Sequence, residues 1–224
     1  MRLFLLLVLV TAPAFAGKDP KMSSSVLLAP WRGPHGGVPP FDKVTVPLLK
    51  AAVEEGMALA LKDIEAIATA SAPPTFENTM VAYERSAQAF NRVAALYGVW
   101  AGSQSTPEFR AIESELSPKL AAFSDAITQN PKLFARLKAV HDAKPTLTAE
   151  QQRLLEVTYT SFVKQGAALD PDAKAKLSAL NTRLATLTTT FAQNQLGDEE
   201  EEFLLLESKA DLAGFSDAQV AAAA

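Results

Sequence analysis

A chain of 224 residues with no cysteine and a formal net charge of −4 rules out several chemistries before any motif is read. Thiolate catalysis and cysteine-based metal sites are impossible. Nucleic acid and anionic membrane surfaces are not expected partners, because no basic face or basic amphipathic segment offsets the negative balance. Hydrophobic residues make up 48%, with only 10 Gly and 2 Trp, a profile that favours packed helices over sheets.

Residues 1–16 read as a secretory signal. Arg2 supplies the positive start and residues 3–10 a short apolar core. Thr11-Ala12-Pro13 breaks the helix ahead of Ala14-Phe15-Ala16, an A-x-A site with cleavage after Ala16. The apolar run is too short to span a bilayer, which takes about 20 residues, and no cysteine is present for a lipid anchor. The expected location is the periplasm or the exterior. About 208 residues then remain, enough for one domain with a real core.

Residues 17–46 form a polar lead-in followed by a Gly/Pro-rich arm. Pro30, Gly33, Pro34, Gly36, Gly37, Pro39 and Pro40 forbid regular structure there. Residues 47–197 form the helical domain. The first stripe is Leu49, Val53, Met57, Ala60, Ile64 and Ile67. The second is Phe76, Met80, Tyr83, Ala87, Phe90, Ala94 and Tyr97, read as one long helix. Phe109, Ile112, Leu116, Leu120, Phe123 and Ile127 make the third, with Pro118 expected to kink it. A short fourth has Leu133, Leu137 and Val140, and a fifth has Leu155, Tyr159 and Phe162. The sixth carries Ala173, Leu177, Leu180, Leu184, Leu187 and Phe191.

Spacings of three and four put one apolar face on each helix, to be buried against neighbours. Thr106-Pro107, Asn130-Pro131 and Asp170-Pro171 each set a capping side chain before a proline at the first helical position. Thr148 with Gln151, and Ser216 with Gln219, have capping-box spacing. The second and sixth helices are expected to run roughly 35–40 Å. Short capped connections between long helices predict an all-α fold of antiparallel hairpins.

Residues 198–224 break the pattern. The sixth helix is expected to end at Gly197, with an acidic run at 198–202 flanking a short apolar strand at 203–206. A last helix capped by Ser216 starts and is cut short at Ala224. A lone strand and a clipped helix lead us to expect further chain that would pair with them.

The search for chemistry returns nothing positive. Zinc hydrolysis on a helix uses H-E-x-x-H, two histidines one turn apart with a glutamate beside the bound water. His35 is followed by Gly36-Gly37 and His141 by Asp142-Ala143, so the motif is absent. His141 reads as an exposed histidine at a helix C-terminus, and His35 as a loop residue. No G-x-S-x-G elbow, phosphate loop or dinucleotide fingerprint occurs. Glu54 with Glu55, and Glu113 with Glu115, fit solvated helix faces better than a catalytic pair. The acidic residues 199–202 fit the flank of an apolar segment. Tyr83, Phe90 and Tyr97 lie on a core stripe. No catalytic, cofactor-binding or metal-ligating residue is assigned in this chain.

The local sequences nevertheless carry a resemblance. Leu27-Leu28-Ala29-Pro30-Trp31 with Gly33-Pro34-His35-Gly36-Gly37-Val38-Pro39-Pro40-Phe41-Asp42 resembles the N-terminal arm of bacterial peptidyl-dipeptidases (dipeptidyl carboxypeptidases). These belong to the thimet oligopeptidase and oligopeptidase A family of zinc metallopeptidases. Pro73-Pro74-Thr75-Phe76-Glu77-Asn78-Thr79 is similar to that family's opening of its second long helix. Ser117-Pro118-Lys119-Leu120, Ser124-Asp125-Ala126-Ile127, Asn130-Pro131 and Leu133-Phe134 continue in the same order. Phe162-Val163, Gly166-Ala167, Leu169, Leu180-Asn181, Phe191 and Asn194 follow.

The resemblance implies an all-helical fold in two halves with a channel for unstructured peptides. It implies removal of C-terminal dipeptides from short peptides, and zinc in a later half that this chain lacks. Two readings stand. One is the N-terminal, non-catalytic portion of a zinc metallopeptidase, inactive without the half that bears H-E-x-x-H. The other is a stand-alone periplasmic helical module that binds peptides or a partner protein.

Overall fold

The computed structural model describes residues 23–34, 37–201, 208 and 210–223. The signal segment, His35 and the expected strand at 203–206 lie outside the described residues. Helices dominate, and the only β pairing among the described residues is an isolated antiparallel bridge between Arg32 and Val38. The fold is all-α.

The arm is more structured than its composition suggests. Residues Ser25–Leu28 form a short helix, α1, and Leu27 and Leu28 are buried in the core. Arg92 fixes them there: its Nε and Nη2 donate to the Leu28 carbonyl at 3.0 and 2.7 Å. Burial of two leucines outweighs the poor local propensity of a Gly/Pro-rich stretch. A 3-10 turn at Phe41–Lys43 follows, and α2 then spans Val46–Ala68, capped by Thr45, whose Oγ1 accepts from the Leu48 amide.

The second stripe is not one helix. Phe76–Val81 is a π-helical turn opened by a capping box between Thr75 and Asn78, α3 is Ala82–Arg85, and α4 is Gln88–Ser103. The break falls at Ser86 and Ala87. Ser86 is extended, with its Oγ donating to the Tyr83 carbonyl at 2.6 Å, and Ala87 is left-handed at φ 58°.

Two cores explain the break. Phe76 and Met80 pack with the C-terminal part of α2 (Ile64, Ile67), with Leu133, Leu137 and Val140, and with Leu155 and Phe162. Val93 and Leu96 pack instead with Leu27, Leu28, the N-terminal part of α2 (Leu49, Val53), Phe109 and Leu116. A straight helix would present one unbroken face, so the turn re-aims α4 at the other core. The deepest residues of α4 are therefore Val93 and Leu96, not Ala94 and Tyr97.

The remaining helices are α5 (Pro107–Thr128), which runs through Pro118 unbroken, α6 (Pro131–Ala143), α7 (Ala149–Lys164), α8 (Pro171–Glu201) and α9 (Asp217–Ala223). The expected caps form. The Thr106, Asn130 and Asp170 side chains accept backbone amides at 2.9–3.2 Å. The Thr148–Gln151 and Ser216–Gln219 pairs close reciprocal boxes.

Two expectations for α8 need correction. The helix does not end at Gly197. It continues to Glu201 and is about 46 Å long at 1.5 Å per residue. The acidic residues 198–201 therefore lie on a helix. Gln195 donating to Glu199 within the helix, and Arg110 of α5 holding Glu200 at 3.2 Å, support the segment past the glycine. The apolar stripe of α8 is not buried either, because no α8 residue is buried.

Candidate functional site

The helix α8 packs along α5, and the shared seam is polar. The Asn181 amide donates to the Asp125 carboxylate at 2.8 Å, and Thr189 Oγ1 to Ser117 Oγ at 2.7 Å. Gln193 donates to Glu113 at 2.8 Å and to the Arg110 carbonyl at 3.0 Å. Lys174 reaches the Gln129 carbonyl at 3.1 Å. These residues share one helical face. The apolar stripe lies beside that face, leaving Leu180 63%, Leu184 63%, Leu187 55% and Phe191 70% exposed, while Leu177 is half-buried against Gly166. Periodicity found the stripe correctly. It could not tell which face meets α5, because here side-chain hydrogen bonds rather than apolar contacts form the seam.

An open cavity of about 480 Å³ lies at this seam, lined by Tyr97, Glu113, Ser117, Asn181, Leu184 and Thr188 among others. Burial, reinforced by the Glu113 charge, pushes the Tyr97 hydroxyl up to about 12. Its ring packs on Phe109 at 5.3 Å between centroids. Tyr97 is thus a neutral, half-buried wall of the cavity.

The residues weighed from sequence fall as follows. Glu54 and Glu115 are both bound by Lys119, and Glu115 also by Lys50, across α2 and α5. Glu55 accepts from Ser24 Oγ, and Glu113 accepts from Gln193. Each carboxylate is engaged by a donor, and the Glu54–Glu55 and Glu113–Glu115 pairs do not converge on a cleft. Tyr83 meets Phe162 edge-on and Phe90 meets Phe123, so the aromatics pack as core.

His141 sits in the last turn of α6 as expected, yet it is only partly exposed. Its ring stacks on Tyr159 at 3.9 Å, with Nδ1 3.2 Å from Asp142 and Nε2 3.3 Å from Glu156. Among the described residues no group of three or more histidine or acidic side chains is placed to hold a metal ion. No helix among them is long and apolar enough to cross a membrane. The residue that sequence reading missed is Arg136, buried and bonded to the Ala70 and Ala72 carbonyls and to Asn78 Oδ1. A lone arginine on a helix carries no signal of that kind.

No family model matches the chain. Against individual curated proteins, it is 34% identical over 197 residues to the dipeptidyl carboxypeptidase of Escherichia coli (strain K12), covering 87% of this chain and 28% of that protein. The dipeptidyl carboxypeptidase of Salmonella typhimurium is 33% identical over 208 residues, covering 92% and 30%. The chain matches the N-terminal region of the dipeptidyl carboxypeptidase and oligopeptidase A family. Oligopeptidase A of Escherichia coli adds a more distant match, 22% identical over 188 residues and covering 83% and 28%. The chain spans less than a third of the length of these relatives. Its relatives in the family are named as peptidases, and the segment aligned with them is the helical scaffold described above.

Proposed function

We propose that this chain is the N-terminal, non-catalytic portion of a zinc metallopeptidase that cleaves short peptides. The peptidyl-dipeptidase type is its expected class, and the chain is inactive until joined by the half that bears H-E-x-x-H. The observation that carries this is the shape of the match: about nine-tenths of the chain aligns with under a third of a dipeptidyl carboxypeptidase. The donor set here does not fit zinc. His141 is held between Tyr159, Asp142 and Glu156, and the sequence has no second histidine one turn away. Zinc, and every step that uses it, belongs in this reading to the other half. This portion supplies helical support and wall for the peptides. The Arg2, apolar core and Ala14-Phe15-Ala16 pattern supports export to the periplasm or the exterior, with cleavage after Ala16.

The coding DNA beyond this chain provides the test. It is expected to encode, in the same or a shifted frame, further helices and an H-E-x-x-H segment. Co-expressing that product should restore zinc-dependent peptide cleavage. An unrelated gene with no H-E-x-x-H in any frame would overturn the reading in favour of a stand-alone binding module.

A further inference from the structure

His141 closes the joint between α6 and α7, and its two ring nitrogens face the same kind of partner. Nδ1 lies 3.2 Å from Asp142 Oδ1 on its own helix, and Nε2 lies 3.3 Å from Glu156 Oε2 on α7. The ring stacks on Tyr159 of α7 at 3.9 Å, and Tyr159 stacks in turn on Phe134 of α6. An ionised carboxylate only accepts, whereas a neutral imidazole donates through one nitrogen and keeps a lone pair on the other. Both contacts are therefore hydrogen bonds only when both nitrogens carry a proton. With one proton gone, a lone pair faces a carboxylate oxygen. We propose that this joint is a pH-responsive clamp, in which the His141 imidazolium ties α6 to α7 and its loss of a proton loosens α7 on the core of Leu137, Val140, Leu155 and Phe162. This goes beyond the peptidase reading, since it concerns a joint whose parts all lie within the described residues.

The surrounding charges favour the cation. His141 sits in the last turn of α6, the negative end of that helix. Lys138 of α6 also binds Asp142. Lys138 first and His141 second hold the Asp142 carboxyl below its usual range, so Asp142 stays ionised while a histidine titrates. Among the described residues Glu156 pairs with His141 alone, and neither Arg153 of α7 nor Lys144 just past α6 joins an ion pair. Helix α2 and the π-helical turn also pack on α6, with Glu65 near Lys132 and Asn78 on Arg136, both further toward its N-terminus. The clamp is thus present where His141 is protonated and lost as pH rises through the histidine range, about pH 5–8.

Amide hydrogen exchange of the purified chain tests this, expressed at each pH as protection relative to the unfolded peptide. Protection along the facing turns of α6 and α7 is expected to fall about two- to fivefold from pH 6 to pH 8, the range for a partly exposed ion pair. His141→Gln should remove that response, with helicity by circular dichroism unchanged. Glu156→Gln should remove it too while keeping protection at the higher pH, because an amide donates to the lone pair of the neutral ring. Equal protection at both pH values in the unmodified chain would overturn the proposal. So would a pH response that survives in His141→Gln or in Glu156→Gln. Neither outcome bears on the peptidase reading.

Discussion

Among the described residues the buried Arg136 guanidinium forms no ion pair. Nη1 donates to the Ala70 and Ala72 carbonyls at 2.9 and 3.0 Å, and Nη2 to Asn78 Oδ1 at 2.9 Å. The same Asn78 oxygen accepts the Thr75 amide at 2.8 Å, so one side chain of α6 locks the connection from α2 to the π-helical turn. Removing it takes three part-buried hydrogen bonds, donated by a charged group, from the Ala70 and Ala72 carbonyls and Asn78. Arg136→Ala should lower unfolding stability by about 2–4 kcal/mol, read from urea titration by circular dichroism, with Arg136→Lys intermediate because its point charge cannot fork. At the surface, hydrogen bonds from Lys119 and then Lys50 hold the Glu115 carboxyl down to about 2 from its usual 4.5. A depressed carboxylate contributes stability that is present above the ordinary value and lost as pH falls through the folded one. The acid limb between those two values should therefore be shallower in Glu115→Gln. A Glu115 NMR titration midpoint close to 4.5 would contradict this ion-pair network.

Helix α2 is the element both cores share, and Gly56 is where α4 crosses it. A β-carbon there would meet the Phe90 Cα at 3.1 Å and side-chain atoms of Leu28 and Val93 at 3.2 and 3.3 Å. Gly56→Val should cost about 2–3 kcal/mol by overpacking and loosen the first core specifically. Hydrogen exchange at α4 amides should accelerate more than at α6 amides. Equal acceleration in both would show that the two cores unfold as one. At this scale most of the fold was legible, because caps and stripes are local: Thr106, Asn130, Thr148 and Asp170 mark the helix starts on their own. What was not legible is nonlocal. The Ser86–Ala87 break follows from a demand to serve two cores, and the stripe at Phe76, Met80, Tyr83, Ala87, Phe90 reads straight through it. Leu27 and Leu28 hide in a Gly/Pro-rich arm for the same reason, since their burial depends on Arg92, some 64 residues away.

Over the whole molecule, the informative departure is α8. Its polar face is spent on α5, and Leu180, Leu184, Leu187 and Phe191 stay more than half exposed, which inverts the expectation that an apolar stripe marks the core. The resemblance was legible from the arm and the Pro73-Pro74-Thr75-Phe76-Glu77-Asn78 segment, and the match to part of the dipeptidyl carboxypeptidases agrees with it. Asn78 now has a physical role, as cap partner of Thr75 and acceptor for Arg136. The central claim is that this scaffold carries no peptidase chemistry by itself. The measurement that addresses it most directly is hydrolysis of an internally quenched oligopeptide by the purified chain with added zinc, repeated with a chelator. The account predicts no cleavage above the buffer blank in either case. Chelator-sensitive cleavage that co-purifies with the chain, together with stoichiometric zinc binding, would contradict it.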